Sequence, residues 1–163
     1  MLCAIINKDN EEYLIYIKEV NAVRKKIPFI LAAVTVTCFI FGNSVQSIEV
    51  SSAQSDRIVG IIADFFVRIG IGFDAGALTY IVRKLAHVTE FMLQGIMLAN
   101  CFNMAYRKRI IYILFLGLFT ACTDEYIQVF SDRGSMVQDV FIDFFGTILG
   151  TVLVGISYKV RRR

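Results

Sequence analysis

The chain has 163 residues, 56% of them hydrophobic, with a mean hydropathy of +0.63. A soluble domain of this size must turn about half its residues to water, so the composition excludes one. A formal charge of +3 is too small a basic excess for a nucleic-acid binder, and 14 Phe with 7 Tyr exclude a disordered chain. What remains is an integral membrane protein.

The first 26 residues are charged and amphipathic, with Leu14, Ile15, Ile17 and Val20 set among Glu and Lys. They are expected to lie along the inner membrane surface as a leader ahead of a domain over residues 27–158 and a basic tail at 159–163. No cleavable signal peptide is expected, because the charged leader is long and no small-x-small site follows the first apolar run.

Uncharged windows fall at 27–48, 91–106, 110–123 and 144–158. A crossing helix needs roughly 20 apolar residues, so only the first suffices alone and the others must recruit charged flanks. The fold expected is all-α: four transmembrane helices, an outer interfacial amphipathic helix and the N-terminal amphipathic segment. Residues 42–55 are rich in Ser and Gln and read as an exterior loop. Residues 56–71 place Ile58, Ile62, Phe65 and Ile69 opposite Arg57, Asp64 and Arg68, as an interfacial helix does. Cys3, Cys38, Cys101 and Cys122 are scattered singly and read as small apolar residues.

Basic residues set the orientation. Lys8, Lys18, Arg24, Lys25 and Lys26 precede span one. Arg107, Lys108 and Arg109 join spans two and three, and Lys159 with Arg161, Arg162 and Arg163 ends the chain. Four spans with both termini cytoplasmic put all of these inside. In that topology Arg83, Lys84, His87 and Glu90 open span two, Asp124 and Glu125 close span three, and Asp139 and Asp143 open span four, all toward the outside. At 1.5 Å per residue Asp124 stands roughly 22 Å above Arg109, and Asp143 roughly 24 Å above Lys159. Charges at such depth need one another or a wet cavity.

Helical spacing makes them converge. Lys84, His87, Phe91 and Gln94 share a stripe with Glu90 beside it, Asp124 and Gln128 are one turn apart, and Ser135, Asp139, Asp143 and Thr147 are successive i+4 positions. Gly146 and Gly150 form a small-residue step for close helix packing. Ser135 with Gln138 has the spacing of a capping box. The outer set could hold a phosphate headgroup on Lys84, His87 and Arg133, a divalent cation on Asp139 and Asp143, or both.

Structural readings stand beside these. Arg83 and Lys84 also suit snorkelling interface anchors. His87 and Glu90 could bond each other across a turn, and one of Asp124 and Glu125 could pair with Arg133. Asp124 is the expected inward member because Gln128 lies on its face. Asp139 in a first helical turn complements the helix dipole.

Lys84, His87, Glu90 and Phe91, followed by Leu93, resemble the first signature of the VanZ-like family. The run from Thr123 through Asp124, Glu125, Gln128, Phe130, Arg133, Ser135, Asp139 and Asp143 to Gly146 and Gly150 resembles the second, and Ser44, Gln46 and residues 51–55 add to the likeness. Phe91 departs from the Tyr that members often carry and Asp143 from the common Asn, which removes a phenol and adds a negative charge.

The resemblance implies a multi-pass protein of the bacterial plasma membrane associated with low-level glycopeptide resistance, particularly to teicoplanin. With the polar outer set it leads to binding of an anionic membrane lipid or lipid-linked envelope precursor, with Asp124, Asp139 and Asp143 on a cation or polar headgroup. No nucleic-acid partner is expected, and no cofactor beyond a divalent cation. Two alternatives stay open. One is a metal-assisted enzyme on a lipid phosphate, with His87 or Glu90 as general base. The other is a passive scaffold, whose polar residues would tolerate replacement.

Overall fold

The computed structural model describes residues 13, 17, 18, 20–68, 74–102, 107–131 and 136–161. Among them every regular element is an α-helix: α1 (Ile27–Val45), α2 (Ile48–Arg68), α3 (Ala75–Cys101), α4 (Arg107–Phe130) and α5 (Val137–Val160). Most of the amphipathic leader, including Leu14 and Ile15, lies outside the described residues, as do Ile69, Arg133 and Ser135. Among the described residues three helical stretches are long and apolar enough to cross a membrane: Val20–Val45, Arg109–Phe130 and Val137–Val160. Helix α3 has 27 residues, about 40 Å of rise. Its middle is polar because Arg83, Lys84, His87 and Glu90 fall there.

The distribution of side chains is inverted relative to a water-soluble bundle. Phe39, Phe115, Phe119, Phe141 and Phe145 are exposed, while Ser44, Gln94, Thr120, Asp124, Glu125, Gln128, Asp143 and Thr147 are buried. Such packing suits lipid as the solvent, since polar groups that cannot reach water must be satisfied inside. Among the described residues, buried apolar side chains gather in two small clusters. Ile40, Phe91 and Ala121 lie together, and Ala99, Ile113 and Val154 form the second.

Helix α3 packs most extensively on α5, and both also touch α4; α1 lies against α3 and α4, and α2 rests on α3. The α3–α5 approach depends on missing side chains. A methyl group on Gly150 would overlap the Met92 carbonyl, and one on Gly146 would overlap the Val88 carbonyl and crowd Phe91. Across the same seam, Gly95 of α3 faces the Thr147 backbone and Gly117 of α4 faces the Thr147 side chain. Thr147 is therefore held between two glycines, and the three helices meet at van der Waals distance.

Two boundaries differ from those expected from the sequence. Residues 42–55 are not a loop. Helix α1 continues to Val45, only Gln46 and Ser47 interrupt the chain, and α2 begins at Ile48. The polar residues there are explained by what they touch, since Ser44 is buried and bonded to Asp124. At the start of α5, Met136 is the N-cap residue and makes no side-chain cap, while the Glu125 carboxylate accepts its N–H at 3.1 Å. An acid from α4 thus takes a donor at the start of α5. Asp74 caps α3, its Oδ1 accepting the Gly76 N–H at 2.9 Å. Cys38, Cys101 and Cys122 are free thiols.

Candidate functional site: a polar cluster and cavity at one end of the bundle

The two ends of the bundle differ in charge. At one end Lys26 and Arg109 line a common cavity and Arg161 lines a second beside Asn100. At the other end the acidic side chains of α3, α4 and α5 meet. His87 of α3 is the hub. Its Nδ1 lies 3.5 Å from Asp143 Oδ1 and 4.0 Å from Asp124 Oδ2. Asp124 and Asp143 are 0% and 1% exposed, respectively.

Asp124 is oriented from two sides. Ser44 Oγ of α1 donates to its Oδ1 at 2.5 Å, and Gln128 Nε2 donates to its Oδ2 at 2.8 Å. The same Gln128 nitrogen reaches Glu125 Oε1 at 3.2 Å, so one amide serves two adjacent carboxylates. Ser131 Oγ donates to the Ser44 carbonyl at 2.8 Å and ties the end of α4 to α1. Asp143 differs, because its Oδ2 is buried without a hydrogen-bond partner among the described residues.

One turn toward the chain start, Lys84 pairs with Asp139 and lies 5.3 Å from the centroid of the Tyr80 ring. Deeper in the bundle, Gln94 Nε2 donates to Thr37 Oγ1 at 2.9 Å and to Thr120 Oγ1 at 3.1 Å, crosslinking α3 to α1 and α4. Phe91 is fully buried beneath Gly146, so a phenyl ring at this position is core packing.

A cavity of about 410 Å³ opens beside His87, between α1, α2 and α3. Asn43, Gln46, Ser55, Arg83, His87 and Glu90 supply its polar lining. Asn43 Nδ2 donates to Glu90 Oε1 at 2.9 Å. Arg83 makes no ion pair among the described residues and is the cation of this wall.

Of the residues singled out in the sequence, His87, Asp124, Gln128 and Asp143 come together. Lys84 and Asp139 form their own pair beside them, and Glu90 faces the cavity one turn from His87. Arg133 lies outside the described residues. Sequence reasoning missed Ser44 and Asn43 as partners of Asp124 and Glu90, Glu125 as a buried acid, and Arg83 as a cavity residue. Adjacent polar residues closing an apolar run, as Asn43 and Ser44 do, were the available signal for the first two.

The VanZ/LLP1 family model matches residues 29–158. The chain belongs to the VanZ-like family. No curated protein and no solved structure matched it. The family match covers all five helices but for the first two and last two residues of the bundle, and so includes every residue of the polar cluster and cavity.

Proposed function

We propose that this VanZ-like protein spans the bacterial plasma membrane four times, with α3 as span two beside the three more apolar stretches and both termini cytoplasmic, and that its outward cavity receives an anionic envelope-lipid headgroup. The basic end, with Lys26, Arg109 and Arg161, then lies inside, in keeping with the positive-inside rule. Helix α2, joined to α1 by a two-residue break, lies along the outer interface and roofs the cavity.

The observation that carries the reading is Arg83 in the wall of a 410 Å³ cavity with no ion pair among the described residues. A guanidinium so placed presents a planar donor fork to a phosphate. His87 stands beside it, and Asn43, Gln46 and Ser55 make the rest of that wall polar. Lys84 is engaged with Asp139, so Arg83 takes the phosphate role, with Arg133, which follows α4 in the chain, as the second base. Occupying or shielding an envelope lipid at this site is how the protein contributes to glycopeptide resistance.

Native mass spectrometry of the purified chain with phosphatidylglycerol and phosphatidylcholine tests the reading. Wild type retains the anionic lipid preferentially. Arg83→Ala, which removes a charge-assisted contact, weakens that retention about tenfold or more. Equal retention of the two lipids by wild type contradicts the reading. The enzymatic alternative, with His87 or Glu90 as base, requires turnover of a lipid phosphate in the same preparation.

A further inference from the structure

We infer that His87, Asp124 and Asp143 bind one divalent cation inside the bundle, behind the part of the cavity wall that His87 forms. Each offers one donor atom, and the three atoms lie within 4.8 Å of one another. Two ligands at roughly 2.1 Å from a tetrahedral ion are about 3.4 Å apart. The 3.5 Å between His87 Nδ1 and Asp143 Oδ1 is close to that separation, and Asp124 Oδ2 lies at 4.0 Å from the same nitrogen.

A second observation points to a ligand. Asp143 is 1% exposed, yet its Oδ2 has no hydrogen-bond partner among the described residues. A buried carboxylate oxygen with no donor is costly, and evolution usually supplies a donor or a metal. Asp124 does not share this condition, since Ser44 and Gln128 hold both of its oxygens. Its orientation is therefore fixed from outside the site, as metal-binding carboxylates commonly are, and each oxygen keeps a free lone pair.

Charge balance leads to the same ion. Two buried carboxylates face one imidazole, so the cluster holds more acidic groups than basic ones. Lys84 is committed to Asp139, and Arg83 is turned to the cavity. A doubly charged cation neutralises the pair without a further basic side chain. The ligands come from α3, α4 and α5, whose spacing is set by Gly95, Gly117, Gly146 and Gly150 rather than by flexible loops. One nitrogen with two carboxylate oxygens suits Zn²⁺ or Mn²⁺ better than Ca²⁺, which prefers oxygen alone. His87 borders both the ion site and the cavity, so a phosphate group held in the cavity would lie beside the ion. That last step rests on the headgroup reading; binding of the ion does not.

The full chain in detergent, stripped with EDTA, is titrated with Mn²⁺ and separately with Zn²⁺ by calorimetry, and bound metal is counted by elemental mass spectrometry. One ion binds per wild-type chain. Asp143→Asn and His87→Ala each weaken binding about tenfold or more, while Asp64→Asn on the exposed side of α2 leaves it unchanged. Circular dichroism and a monodisperse elution of each variant separate lost binding from lost fold. Wild type that takes up neither ion overturns the inference irrespective of the variants, as does uptake that Asp143→Asn retains and Asp139→Asn loses. Phosphatidylglycerol binding is measured in the same preparation. Metal uptake without lipid binding supports the inference and counts only against the headgroup reading; lipid binding without metal uptake overturns the inference alone.

Discussion

Asp124 and Glu125 are neighbours in the chain and point about 100° apart on a helix, yet both are buried, at 0% and 4% exposure. Gln128 lies one turn on from each and donates to both. From spacing alone Asp124 is the inward one, because its partner Gln128 is at i+4. The burial of Glu125 was not legible, since it depends on the Met136 N–H presented by the start of another helix. A similar ambiguity separates Arg83 from Lys84. Adjacent residues on α3 face different neighbours, and only the position of α2 decides that Arg83 meets the cavity while Lys84 meets Asp139. Gln128→Leu removes the shared donor from two buried acids. It is expected to destabilise the fold by about 1–3 kcal/mol, read as a lower unfolding midpoint in detergent. Gln138→Leu, on the exposed first turn of α5, is the comparison. Equal midpoints for the two variants would show that Gln128 is not what satisfies these acids.

At the level of helices, existence and type were readable from hydropathy, and the missing detail lay where polar residues pack inward. Residues 42–55 look like a loop because Ser, Asn and Gln are common in loops. In the fold Ser44 and Asn43 serve acids of α4 and α3, so the helix continues through them. Helix α3 hides its length in a similar way, since the charges that interrupt its hydropathy are the ones that form the site. The Gly146–Gly150 step was legible as a packing device, and the backbone it packs on is α3 from Val88 to Ile96. Gly150→Ala forces a methyl group into the Met92 carbonyl and is expected to cost about 1–3 kcal/mol, with a matching fall in thermal midpoint. Gly60→Ala on α2, where no atom lies within 4 Å of the added carbon, leaves the midpoint unchanged or raises it. A neutral Gly150→Ala would mean that α3 and α5 do not approach as described.

The molecule as a whole has apolar flanks, a polar interior and charge of opposite sign at its two ends. The basic segments that suggested cytoplasmic termini were readable without any fold, because the count needs only sequence order. The convergence of acids from three helices required a topology as well. The orientation is tested in a chain with its four cysteines replaced. A membrane-impermeant maleimide added to intact cells labels Asp132→Cys, between α4 and α5 in the sequence, and does not label Lys108→Cys. The reverse pattern would place the cavity in the cytoplasm. The most direct test of the polar end as a working site is teicoplanin susceptibility of a sensitive Gram-positive host expressing wild type, Arg83→Ala, His87→Ala or Asp143→Asn at matched membrane levels. The account predicts that wild type raises resistance and that each variant loses it while still accumulating. Full resistance in all three variants would make the cluster and cavity structural and contradict the account.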